Sequence, residues 1–444
     1  MLELSCVSLA PFSVYVAFVG SIALSLVVLF KEFLWMSLVE RPSLYFRNSP
    51  MHSYVIERCK LTQKVYAPSR FLSSRHVQTI LPVILHKPDV TYAREYLQMR
   101  DKGVVAIDWV EYPDVKVKRK TVVLLVIPPL TEDATHMTNI CFNATDRGFK
   151  AVVFNRRGHG NSYLTTPKLQ SYADPTDLRQ VIRYINLRMP KSPLAAVAYG
   201  TGCALLRSYL GEFGSSDMLT VGVCISPRYD APQRGTSLYD LVLLLRLKSL
   251  LCQHAKALAP VLDLDKAMSA WTFSEHHRLV YCPLNGYSDL EQFWEMNNPI
   301  RDVDAIEVPV LCITSLDDPI CACSDIPYDI LQGYPNFLLV VTTKGGHCGF
   351  LEGFPPRSWS DTLCLDYVDS VVAFTTKHSL QQQHRPRLYR ASKRSQHMTN
   401  SGISNNISTP NKNSINRNRS ISNDSSTNNS IKCTVTSKIL TKSK

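Results

Sequence analysis

The chain has 444 residues, a hydrophobic fraction of 45% and a formal net charge of +12. That length suits one large or two ordinary domains, and the apolar fraction excludes wholesale disorder. Twelve Lys or Arg residues and one acid, Asp424, lie in 381–444, so residues 1–380 carry only about +1, and the composition gives no support to a nucleic-acid partner.

In chain order, the first feature is an uncharged run from Leu4 to Phe30, containing PFSVYVAFVGSIALSLVVLF over 11–30. About 20 apolar residues in a helix cross a ~30 Å hydrocarbon layer. The run has no basic n-region and is followed by a poor cleavage site, so it is expected to be an uncleaved membrane anchor over 4–30, with a secretory signal peptide as the alternative. Glu3 lies before the run and Lys31 and Glu32 after it, which leaves the orientation weakly determined. A glycosylation sequon, Asn143-Ala-Thr145, could report a lumenal face. Residues 31–120 read as an irregular approach segment with strand-like pieces such as GVVAIDWVEY.

From residue 121 onward, apolar runs alternate with helical patterns. TVVLLVI (121–127), KAVVFN (150–155), LAAVAY (194–199), LTVGVCIS (219–226), VPVLCITS (308–315) and FLLVVTT (337–343) are continuously apolar. This is the pattern of a parallel, doubly wound sheet covered by helices on both faces. DPTDLRQVIRYINLRM sets Leu178, Val181, Ile182 and Ile185 on one helical face. Residues 227–298 are helix-rich and interrupt the strand series, so they are expected to form a cap over the carboxyl ends of the strands, where such sheets place their sites. The Ser- and Asn-rich tail, 381–444, lacks the apolar surface to fold and is expected to be disordered. Thirteen cysteines occur without a CxxC pair, and no cofactor or metal motif is present.

The turn AAVAYGTGCALL (195–206) runs from strand through glycines to helix. A nucleophile elbow has this form, with serine third of five in G-x-S-x-G. Here the five are Ala198-Tyr199-Gly200-Thr201-Gly202, and the third is Gly200. Glycine tolerates an elbow's strained backbone but offers no oxygen for an acyl-enzyme. Thr201 would need a one-residue slip to replace it, and Cys203 falls in the first helical turn, pointing away. The remaining members follow in the expected order. Asp318, after VPVLCITS, is preferred to Asp317 as the acid because the residue just before the turn's proline usually takes this role in related hydrolases; a plain helix cap is the alternative. His347, in TTKGGHCGF, is the candidate base. The loop after the first core strand, Pro128-Pro129-Leu130-Thr131-Glu132-Asp133, has two prolines that cannot donate an amide and two acids that would oppose an oxyanion.

SSRHVQTILP, FNRRGHGNS, ALLRSYLGE, VPVLCITSLDDP and GGHCGF together resemble the membrane-anchored α/β-hydrolase-domain family that includes the YheT-type esterases and several animal lipases. The resemblance covers roughly 45–377, and AYGTGCALLRSYLG aligns without a gap on the active members' GVSMGGMLLLNYLG, which puts Gly200 at their serine. It implies an α/β-hydrolase fold with a helical cap, lipid or short acyl esters as substrates, and a membrane-proximal location. With the serine replaced, the expectation is an impaired hydrolase that binds an apolar or acyl ligand, or a protein partner, through the capped pocket. The alternative is an ester hydrolase in which His347 and Asp318 activate water directly.

Overall fold

In a computed structural model, residue 20 and residues 40–378 are described, apart from 70–71, 86, 112–120, 215–217, 230–236 and 299. The expected anchor over 4–30 (residue 20 excepted) and the tail over 381–444 lie outside them. No helix among the described residues is long and apolar enough to cross a membrane.

The strands are β1 (Ser43–Phe46), β2 (Tyr92–Gln98), β3 (Val104–Val110), β4 (Val123–Ile127), β5 (Lys150–Asn155), β6 (Leu194–Tyr199), β7 (Val221–Ile225), β8 (Val310–Ser315) and β9 (Phe337–Thr342). They form one sheet in the order β1-β9-β8-β7-β6-β4-β5-β3-β2. From β5 through β9 neighbours are parallel, while β1, β2 and β3 pair antiparallel at the two sides.

Apart from Lys150 at the start of β5, the parallel strands are buried along their whole length because both faces are covered. In β4, Leu124 and Val126 face the helices Thr138–Asp146 and 359–378, whereas Val123, Leu125 and Ile127 face Thr176–Arg188 and Gly202–Phe213. The segment 31–120 is more regular than its sequence suggests. It supplies β1 to β3 and the helices Pro50–Arg58 and Arg75–Ile84. YAREYLQ in β2 alternates half-buried with exposed positions, as an antiparallel edge strand does, so it lacks the apolar run that marks the inner strands. The sequon Asn143-Ala-Thr145 lies inside the helix Thr138–Asp146, where the buried Thr145 hydroxyl donates to the carbonyls of Cys141 and Phe142. The folded body does not present it as an open loop.

One ion cluster, centred on the buried Arg157, ties the loop after β5 to the helix Thr176–Arg188 and to the β2–β3 turn. Arg157 Nε and Nη2 donate to Asp177 at 2.5 and 2.7 Å, and Nη1 and Nη2 donate to Asp101 at 2.6 and 2.8 Å. Breaking a buried pair typically costs about 3–5 kcal/mol, and Asp101, 42% exposed, stays on Arg157 and offsets part of that when Asp177 is removed. Asp177→Ala is expected to lower the unfolding free energy measured in urea by about 2–3 kcal/mol, whereas loss of the exposed Arg147–Asp366 pair through Asp366→Ala should cost less than about 1 kcal/mol.

Helices between β7 and β8, from Leu238–Gln253 to Leu290–Met296, sit over the carboxyl ends of the strands. Leu247, Leu251, Val280 and Phe293 pack there against Leu130, Leu169 and Ala204 of the body.

Candidate active site

β6 delivers the chain to Gly200, whose φ is +50°, in the left-handed region that favours glycine. Its amide donates to the Ile225 carbonyl, and its carbonyl accepts from Cys203 N, so the turn passes directly from strand to helix. A Cβ at Gly202 would lie 2.6 Å from the Pro128 carbonyl oxygen and 2.7 Å from that of Ile127. Only glycine lets the helix Gly202–Phe213 approach β4 so closely. Residues 198–202 therefore have the geometry of an elbow, with glycine at the nucleophile position.

The three sequence-derived positions meet in space. Asp318 Oδ2 lies 2.8 Å from His347 Nδ1, and Asp318 Oδ1 accepts from the amides of Ile320 and Cys321. His347 Nε2 points to Gly200 and lies 3.0 Å from where a Cβ there would stand. Burial alone would push the imidazole down, but Asp318, with Cys348 and Cys321, holds it well above the ordinary histidine range. Asp317 serves the loop instead, its Oδ1 accepting from Gly346 N at 2.9 Å. Neither proposed substitute faces the base. Cys203 is buried and its thiol donates to the Ala198 carbonyl, while the Thr201 hydroxyl is engaged elsewhere.

The loop after β4 departs from its sequence reading. It does keep an amide beyond the two prolines, that of Leu130, but this amide donates to Thr201 Oγ1 at 2.5 Å. The elbow's own side chain occupies the donor that an oxyanion would need. The acids do not crowd the position either. Asp133 turns back to accept from Thr135 N and contacts His136, and Glu132 lies 3.6 Å from Arg246.

Gly200, Asp318 and His347 open onto a cavity of about 1020 Å³. Its walls include Ile80, Val83, Met137 and Ile140, and the cap supplies Leu238, Val242, Leu243 and Phe273. Such a space suits an acyl chain. Asp318, Cys321 and His347 offer donor atoms within 4.8 Å of one another, with Asp318 Oδ1 held by two amides and Oδ2 facing His347 Nδ1.

Several residues of the site carried no sequence signal. Gln78 is fully buried; its amide donates to the carbonyls of Leu72 and Leu351, and its oxygen accepts from Leu351 N. Thr79 Oγ1 accepts from His347 N. Both lie within SSRHVQTILP, whose spacing alone does not show that it buttresses the histidine loop. Tyr199, beside Gly200, donates to Asp361 Oδ1 at 2.7 Å on the cavity wall. Burial pushes the Asp361 carboxyl up to about 6, against a downward pull from Tyr199 and Ser358. A carboxyl raised on folding binds more protons in the native state, so its contribution is fully present below the unfolded pKa of 3.8 and is lost as pH rises through about 6. Asp361→Asn should therefore gain stability relative to the natural chain between pH 4 and 7, by up to about 3 kcal/mol, measured by urea unfolding across that range.

No family model matches the chain. Among curated relatives, human Protein ABHD15 is 37% identical over 322 residues, which cover 69% of this chain and 69% of that protein. Mouse Phospholipase ABHD3 is 28% identical over 381 residues, covering 81% of this chain and 92% of its own length. Mouse Monoacylglycerol lipase ABHD2 is 23% identical, covering 76% of this chain and 87% of its own length.

Proposed function

The chain belongs to the α/β-hydrolase domain-containing family, and from that premise we propose that it is a member that has given up ester hydrolysis and retains its capped cavity to bind an apolar, acyl-bearing ligand. The observation that carries this reading is the double alteration at the elbow. Gly200 stands where the nucleophile belongs, and the Leu130 amide is taken by Thr201 Oγ1. A serine route needs both an oxygen nucleophile and free oxyanion donors. The cavity, by contrast, is large and apolar-walled. The protein acts at an endomembrane, through the uncharged segment over 4–30. A protein partner at the cap is compatible with this role.

The test pairs two probes on the full chain. A serine-directed fluorophosphonate is expected to leave the natural chain unlabelled, while a fluorescent fatty acid is expected to bind and to be displaced by monoacylglycerol. Labelling that disappears when some other serine is changed overturns the reading.

The intact Asp318–His347 contact at 2.8 Å favours a second reading, slow hydrolysis by directly activated water. Turnover of p-nitrophenyl butyrate by the natural chain, abolished in His347→Ala, would establish it. Equal background rates in both proteins would exclude it.

A further inference from the structure

The long cap helix, Leu238–Gln253, is apolar on both sides. Leu244, Leu247, Leu250 and Leu251 are buried against the body, but Leu238, Leu241, Val242 and Leu245 are exposed, Leu238 by 74% and Leu245 by 57%. The exposed four fall at i, i+3, i+4 and i+7, a single stripe along the helix. The stripe continues past Leu245. Lys248 Nζ lies 5.3 Å over the ring of Trp271, which is itself 75% exposed, and Cys252 Sγ lies 3.9 Å from Met268 Sδ. Across the mouth of the cavity, the helix Arg75–Ile84 exposes Ile80, Val83 and Ile84. These three, with Leu238 and Val242, also line the cavity. The exposed apolar surface and the cavity wall are thus continuous.

We propose that this surface docks on a lipid bilayer and holds the cavity mouth against it, so that an acyl ligand enters without crossing water. Contiguous exposed apolar surface of this kind marks an interaction site. Three observations favour a bilayer as the occupant. The stripe runs into a cavity suited to acyl chains. A lysine over an exposed tryptophan is a pairing suited to the headgroup level, where amphipathic rings and long cationic stems reside. The mouth also carries Arg75 and Lys87 to meet lipid phosphates, while Arg246 faces Glu132 and Asp240 is turned into the cap of its own helix by Ser237. The uncharged run Leu4–Phe30, a short stretch of chain before the sheet, would keep the body at the same membrane. The ligand's route rests on the acyl-binding reading above, whereas the docking rests on the surface itself.

The full chain is reconstituted in phosphatidylcholine vesicles bearing a diazirine on the acyl chain, irradiated, and its adducts mapped by mass spectrometry. Adducts are expected at Leu241, Leu245 and Trp271 and within 80–84. None is expected at Leu187, which is 80% exposed but lies at the amino ends of the strands, opposite the cap. Leu241→Gln/Leu245→Gln alters only surface positions, so the fold should persist. It should lose the cap adducts and take up a fluorescent fatty acid from vesicles at least about tenfold more slowly, with uptake of the same monomeric fatty acid from buffer unchanged. A natural chain that takes up fatty acid from neither source removes the acyl-binding reading, and the adduct map still decides the docking. Adducts confined to the chain before residue 40, or a stripe shielded from lipid and cross-linked to a second copy, overturn the docking.

Discussion

Gly200→Ser alone is expected to react with a fluorophosphonate slowly or not at all, whereas Gly200→Ser/Thr201→Ala should react at least about 10²-fold faster than the single variant. The single change supplies the missing oxygen next to a histidine already oriented by Asp318. It leaves the second defect in place, because Thr201 Oγ1 still accepts the Leu130 amide at 2.5 Å. One oxyanion donor is commonly worth about 10²–10³ in rate, and the alanine frees that donor. The serine also has to be accommodated. A Cβ at position 200 stands 3.0 Å from His347 Nε2, so the ring must retreat by a few tenths of an ångström, and φ of +50° costs a non-glycine residue roughly 1–2 kcal/mol. Thermal unfolding should show that modest loss in both variants, and a further loss of about 1 kcal/mol in the double variant, where the Leu130 amide has lost its acceptor. Labelling rates are the deciding measurement. If the single and double variants react equally fast, Thr201 does not block the site.

This pairing of defects explains which parts of the molecule were legible in the sequence. The inner strands announce themselves because burial on both faces demands uninterrupted apolar residues: the run LAAVAY spans 194–199, and β6 is Leu194–Tyr199. β1 and β2 were missed as sheet members because an edge strand needs only a half-apolar pattern. Gly200, Asp318 and His347 were legible because each stands just past a buried strand, in a fixed chain order. What holds them was not. The Leu130–Thr201 bond joins residues 71 apart, His347 meets Thr79 across 268, and Tyr199 meets Asp361 across 162. Local spacing carries no trace of such contacts. The two acids at 132 and 133 show the reverse error, since charge counted along the chain took no account of side chains that turn back to their own loop or to the cap.

The largest loss of stability is expected from a single methyl group at Gly349. A Cβ there would lie 2.1 Å from the carbonyl oxygen of Gln78 and 2.9 Å from that of Gly345. Both are backbone atoms, the first inside the helix Arg75–Ile84, so neither can swing away as a side chain would. Gly349→Ala must therefore lift the histidine loop off the helix, and a cost above about 4 kcal/mol or failure to fold is expected. Gln78→Leu attacks the same junction by its hydrogen bonds. It orphans Leu351 N and the Leu72 carbonyl, whereas the Leu351 carbonyl keeps a donor in the Tyr66 hydroxyl. Two buried groups left unpaired cost on the order of 3 kcal/mol. Gly333→Ala supplies the control, because nothing lies within 4 Å of its Cβ and it closes a short helix; it should be neutral or stabilising by a few tenths of a kcal/mol. Urea unfolding ranks the three. A Gly349→Ala protein as stable as Gly333→Ala would mean that the loop does not rest on this helix, and that His347 is held at Gly200 chiefly by Asp318.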